Sequence, residues 1–78
     1  MKFSRHAKNN MRLYKIAEQD IIKVIETPDS TRKEGVRLTA LKQFSNKFSG
    51  YSLKVVYERS EKETTIITAY PLKKKHWR

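Results

Sequence analysis

Residues 53–70 constrain the fold of this chain more than any other stretch. They read LKVVYERSEKETTIITAY, two runs rich in β-branched and aromatic residues on either side of a polar connection at residues 60–63. Branched and aromatic side chains suit a pleated surface, and two such runs with a short polar link are the pattern of an antiparallel hairpin. With Glu61 and Lys62 at the tip, Tyr57 faces Ile66, Val55 faces Thr68 and Leu53 faces Tyr70. The other face then pairs Val56 with Ile67 and Lys54 with Ala69. A three-residue turn would slip this register by one and exchange the faces. Apolar residues occupy the middle of both faces, which predicts two central strands rather than an edge ribbon.

Such a hairpin needs cover, and the upstream residues supply it. Phe3, Ala7, Met11 and Tyr14 recur at helical spacing, which predicts a first helix over residues 3–14 with Ser4 as its N-cap. Its outer face is a basic strip of Arg5, Lys8, Asn9, Arg12 and Lys15. His6 lies on a flank beside Asn10 and Leu13. After a tight connection at residues 14–15, a second helix is predicted over residues 16–26, buried through Ala17, Ile21, Val24 and Ile25. Glu18 and Asp20 suit the positive end of its dipole. Proline cannot continue the hydrogen-bond ladder, so residues 27–28 end the helix. Residues 31–35 are polar and read as a short edge strand or a turn. Val36, Leu38, Ala40 and Phe44 then alternate with Arg37, Thr39, Leu41 and Gln43, a half-buried strand with the helices on its Val36/Leu38 face. The expected architecture is α+β, two N-terminal helices packed on an antiparallel sheet of three to four strands. One domain is expected over residues 1–78, with a basic tail at 72–78.

Charge narrows the function. The net charge is +10 over 78 residues, near the lower end of what folds on a single core. Residues 1–15 carry five basic groups and no acid, residues 16–30 have a net charge of −3, and residues 31–50 and 64–78 have +4 each. Such a balance attracts polyanions, of which nucleic acid is the commonest in a cytoplasm. A merely solubilising surface and an acidic protein partner compete with that reading. Cysteine is absent, which removes disulfides, thiolate catalysis and most zinc sites. Two histidines without clustered carboxylates argue against a catalytic metal, and no cofactor is expected. No apolar run approaches the roughly 18 residues that span a bilayer, and no signal peptide follows Met1, so the chain reads as cytoplasmic.

There is no glycine-rich phosphate loop, no carboxylate pair placed for glycoside chemistry and no Ser-His-Asp set. What remains is a set of basic residues with His6, His76, Tyr57 and Tyr70. Such a set can cleave RNA: the 2′-hydroxyl loses a proton, the 5′-oxygen gains one, and cations stabilise the phosphorane-like transition state. Each residue also has a plain structural reading. His6 can be a hydrogen-bonding flank residue, Tyr70 a strand residue packed on Leu53, and Tyr57 core. Arg37 and Lys54 point off the Val36/Leu38 face, either toward a substrate across the open side of the sheet or into solvent. Lys73, Lys74 and Lys75 form a solvated tail or, with Trp77, a basic and aromatic cluster for RNA phosphates and bases. His76 beside them is a second candidate acid-base group.

The string Phe3-Ser4-Arg5-His6-Ala7, with Met11 four residues on and a helix ending in Thr27-Pro28, resembles the bacterial family called domain of unknown function 4258. The usual signature of that family is S-x-H-A-x-x-R-M. Leu53-Lys54-Val55-Val56-Tyr57 and Ile66-Ile67-Thr68-Ala69-Tyr70 fit the same family. They also resemble the BrnT toxins, whose relatives end in a strand like I-I-S-A-R. The resemblance covers nearly the whole chain through short motifs. It implies a RelE-like fold and, in the toxin branch, a ribonuclease neutralised by a co-encoded antitoxin. Two positions depart from the pattern: Asn10 stands where the family has arginine, and Tyr70 stands where BrnT relatives end the strand in arginine. Each change removes a cation that could face phosphate. Either Tyr70 takes an acid-base role or cleavage has been lost.

The expected function is therefore an RNA-binding type II toxin acting as an endoribonuclease of the mRNA interferase type. His6 and Tyr70 are its catalytic candidates. Arg5, Lys8, Arg12, Arg37, Lys54, Lys73, Lys74, Lys75 and His76 are its nucleic-acid-binding candidates. RNA and an antitoxin encoded nearby are the expected partners, no membrane is, and a thin core with exposed edge strands suits a homo- or hetero-oligomer. The alternative is a non-catalytic RNA- or protein-binding module whose basic surface docks an acidic partner.

Overall fold

Ser4 decides where the first helix begins. The computed structural model describes residues 1–72. In it Ser4 is extended and its Oγ accepts the Ala7 N–H at 3.0 Å, which starts α1 at Arg5–Tyr14. A serine satisfies one of the orphan donors of a helix N-terminus in this way. Lys2 and Phe3, left outside the helix, are extended and form β1, Lys2–Phe3. Lys15 closes α1 in the left-handed region, at φ 57° and ψ 48°, with its N–H on the Met11 carbonyl. The second helix, α2, spans Glu18–Glu26 and starts two residues later than the apolar pattern predicts. Asp20 sets that start, because its Oδ2 accepts the N–H of Ala17 at 3.0 Å. Ala17 is consequently exposed and Ile16 is buried in its place. Thr27 ends α2 and donates its hydroxyl to the Lys23 carbonyl.

Four longer strands follow: β2 (Ser30–Glu34), β3 (Arg37–Gln43), β4 (Ser52–Arg59) and β5 (Thr64–Leu72). They run as an antiparallel meander, and the sheet order is β1-β5-β4-β3-β2. β1 pairs parallel to β5, Lys2 with Thr65 and Phe3 with Ile66. The sheet is therefore mixed and five-stranded, where the sequence pattern predicts three to four antiparallel strands. The difference has a physical cause. Capping at Ser4 frees Lys2 and Phe3 to satisfy the outer backbone groups of β5, which would otherwise form an open edge.

The polar stretch 31–35, expected as a short edge strand or a turn, forms an edge strand at Ser30–Glu34 and begins the turn at Gly35. Gly35, at φ 63°, supplies the positive φ that the two-residue turn between β2 and β3 needs at its first central position. Val36 completes that turn and is 73% exposed, so the buried face of β3 begins at Leu38 and not at Val36.

One core unites the two helices with one face of the sheet. Ala7 of α1, Ile21 and Val24 of α2, and Leu53, Val55, Ile66 and Ala69 of the hairpin are fully buried in it. Side chains alternate across a strand, so Leu53, Val55 and Tyr57 share the face that both helices cover. Among the described residues no helix covers the other face. No described helix is long and apolar enough to cross a membrane.

The hairpin register holds a bulge. Tyr57 pairs with Ile66 as the sequence predicts, but Val56 then pairs with Thr68, Val55 with Ala69, Lys54 with Tyr70 and Leu53 with Pro71. Ile67 is the extra residue. The cause is the odd spacing between Ile66 and Ala69: strict alternation sends residues three apart to opposite faces, yet both are in the core. An inserted residue reconciles them. Strict alternation from Ile66 would instead turn the Thr68 hydroxyl toward the core, where an unpaired hydroxyl costs about 1–3 kcal/mol, whereas a lost ladder bond costs about 0.5–1.5 kcal/mol. Here the Ile67 carbonyl is also taken up by the Ser4 hydroxyl at 2.6 Å. The bulge wins, and every residue beyond it changes face relative to the simple hairpin.

Candidate nucleic-acid interface

The consequence of the bulge is chemical. Tyr70, which simple alternation places against Leu53, instead faces Lys54 on the side of the sheet that the helices leave open. The Lys54 ammonium lies 5.5 Å from the centre of the Tyr70 ring, within cation–π range. Both residues are half-buried, and Leu41 of β3 is the neighbour of Lys54 in the same row. Further along the face, Thr39, Val56 and Thr68 form a second row. Thr68 accepts a hydrogen bond at its Oγ1 from Asn10 Nδ2, at 3.1 Å, which ties α1 to β5.

The third row carries charge of both signs. Arg37 Nε donates to Glu58 Oε2 at 3.1 Å, with Thr65 beside them. An open cleft of about 280 Å³ lies at this end, lined by Val36, Glu58, Arg59, Ser60, Glu63 and Thr65. Two carboxylates make the cleft a poor place for phosphate. The face is thus polarised, with an ammonium and a phenol at one end and ion-paired carboxylates at the other.

The expected site residues divide accordingly. Tyr70 and Lys54 stand together, and Arg37 shares their face. The Arg37–Glu58 pair is exposed, at 58% and 38% of the side chains, and such pairs contribute about 0–1 kcal/mol. A phosphate could compete for that guanidinium. His6 is exposed on α1, one turn before Asn10 on the same flank. The Asn10–Thr68 bond turns that flank toward β5. Lys8, two residues and about 200° of helix from His6, falls on the opposite flank, while Arg5 and Arg12 point outward and are exposed. The basic strip of α1 therefore borders the open face and does not line it. Lys73, Lys74, Lys75 and His76 lie outside the described residues. Tyr57 is core, as its position in the hairpin predicts, with the Arg59 guanidinium 5.5 Å from its ring centre.

Two working polar residues escape the sequence pattern. Asn10 is legible only as a missing arginine, yet its side chain links α1 to β5. Asp20 reads only as a helix-dipole carboxylate, yet it is 5% exposed and receives the Lys47 ammonium at 2.8 Å. That ion pair removes part of the negative charge that would make α2 an acidic patch. Among the described residues no three His, Cys, Asp or Glu side chains are grouped to hold a metal ion.

These features define a class, the small α+β domain with one sheet face covered by helices and the other without a described helix, carrying Lys54 and Tyr70 at one end and the Arg37–Glu58 pair at the other. The chain belongs to the family described as Domain of unknown function (DUF4258), whose model matches residues 3–71. No curated protein and no solved structure matches it.

Proposed function

We propose that this chain is a RelE-like, RNA-binding toxin of a two-gene toxin–antitoxin pair, and that its own side chains cleave RNA on the open sheet face. The observation that carries the reading is the placement of Tyr70 beside Lys54, on a face that a flat single strand of RNA could reach. In the reaction a base takes the proton of a 2′-hydroxyl and O2′ forms a bond to phosphorus. The bond from phosphorus to O5′ breaks and O5′ is protonated, leaving a 2′,3′-cyclic phosphate and a 5′-hydroxyl. The Tyr70 phenol serves one proton transfer, with His6 on the neighbouring flank of α1 as its complement. Lys54 meets the charge that develops on the non-bridging oxygens. Arg37 and the outward cations of α1, Arg5 and Arg12, hold flanking phosphates.

A second reading is favoured by Asn10, whose side chain serves the fold where the family signature has an arginine. In that reading the same face binds RNA, or an acidic protein, without chemistry. Induced expression in a bacterial host, with and without the adjacent gene, separates the two. Growth arrest with RNA fragmentation, relieved by the neighbour, is the expected result. Normal growth with intact RNA would leave the binding module.

A further inference from the structure

One strand of this sheet buries nothing. All five residues of β2 are exposed, and none belongs to the core. β2 is the last strand of the sheet, at the end opposite β1. Its anchors are the ladder to β3, the Gly35 turn and Asp29. The Asp29 Oδ2 accepts the Gln43 N–H at 2.8 Å, and its own N–H donates to the Leu41 carbonyl at 2.7 Å. Among the described residues no strand pairs with the outer side of β2. Antiparallel ladders alternate, so every second residue directs its N–H and C=O away from the neighbour. A two-residue turn makes Glu34 and Arg37 the bonded closing pair, and the outward residues are then Thr31 and Lys33.

Charge selects what can occupy this edge. A second copy pairing about a two-fold axis at Arg32 or at Lys33 would set that residue against its own counterpart, and like charges directly opposite are destabilising, although the Lys33 register also sets Arg32 against Glu34. The net charge of +10 on each copy opposes that approach from a distance as well. An acidic strand meets the reverse situation. Carboxylates on one face of it would oppose Arg32, and those on the other would oppose Lys33, while the backbones complete the ladder.

We infer that the outer edge of β2 receives an extended acidic segment of a partner protein as a sixth strand. Affinity comes from main-chain hydrogen bonds at Thr31 and Lys33, and selectivity from Arg32 and Lys33. The inference holds whether or not the open face cleaves RNA, since it uses none of the residues assigned to that face.

The test uses the full chain, isotopically labelled, with two nine-residue peptide probes, one repeating Val-Glu-Glu and one repeating Val-Lys-Lys, so that charge lies on both faces of the added strand. The acidic peptide is expected to bind at least tenfold more tightly and to slow amide exchange at Thr31 and Lys33 at least tenfold. The double substitution Arg32→Glu and Lys33→Glu should reverse the preference while circular dichroism shows the same fold. Equal binding of the two peptides, or shifts confined to Lys54 and Tyr70, would overturn the proposal. So would protection of Thr31 and Lys33 that grows with protein concentration in the absence of peptide, because a second copy would then be the occupant.

Discussion

Tyr70 sets a phenol beside an ammonium group, and removing its hydroxyl separates chemistry from binding. In the Tyr70→Phe variant the ring, and with it the contact to Lys54, is kept. Cleavage is expected to fall by about 10²–10⁴-fold, the usual contribution of a positioned acid or base. RNA affinity should stay within about twofold, and the melting temperature should not move. Fluorescent RNA turnover beside equilibrium binding measures both, and undiminished turnover would remove Tyr70 from the chemistry. Lys54→Ala touches the other half of the pair. It should weaken RNA binding of every sequence alike, and the number of ions released on binding should fall by about one.

At the level of elements, a single serine joins three of them. Ser4 caps α1 through the Ala7 N–H, donates its own N–H to the Ile66 carbonyl and donates its hydroxyl to the Ile67 carbonyl in the bulge. The start of the helix and the bulge in β5 therefore share one side chain, and the end of β1 is held by the backbone of the same residue. Ser4→Ala should cost about 1–2 kcal/mol, a lost cap together with an unsatisfied carbonyl. The check is chemical denaturation, where the midpoint should fall at an unchanged m-value. Asn10 plays a lesser version of this part by tying α1 to β5 at Thr68.

Over the whole molecule, charge and cover are arranged on separate surfaces. The helices shield one face, the other carries Lys54 and Tyr70, and the edge at β2 carries Arg32 and Lys33. An RNA strand on the open face should show affinity that falls steeply with salt, by about 0.7 in log K per unit of log salt for each phosphate neutralised. Titrations from low to physiological ionic strength measure that slope. A salt-independent affinity would mean that stacking, and not phosphate contact, dominates. Arg37 should contribute less to the slope than Lys54, because a phosphate has to displace Glu58 from its guanidinium.

Much of this arrangement is legible in the chain itself, because local rules govern it. Helical spacing of Ala7 and Met11, the serine cap, the stop at Pro28 and the pairing of Tyr57 with Ile66 all follow from neighbours in sequence. The family signature around Ser4 and His6 is equally local. Tertiary packing decided the rest. Ile66 and Ala69, an odd number of residues apart, are both drawn into the core by Val55 and the helices, and only that demand inserts Ile67 and turns Tyr70 toward Lys54. The burial of Asp20 against Lys47 depends on a contact 27 residues away. The parallel pairing of Lys2 and Phe3 depends on residues near 65, which no local pattern reveals. Period-two alternation is a property of one strand, whereas the face a side chain finally takes is set by which residues the whole core can bury.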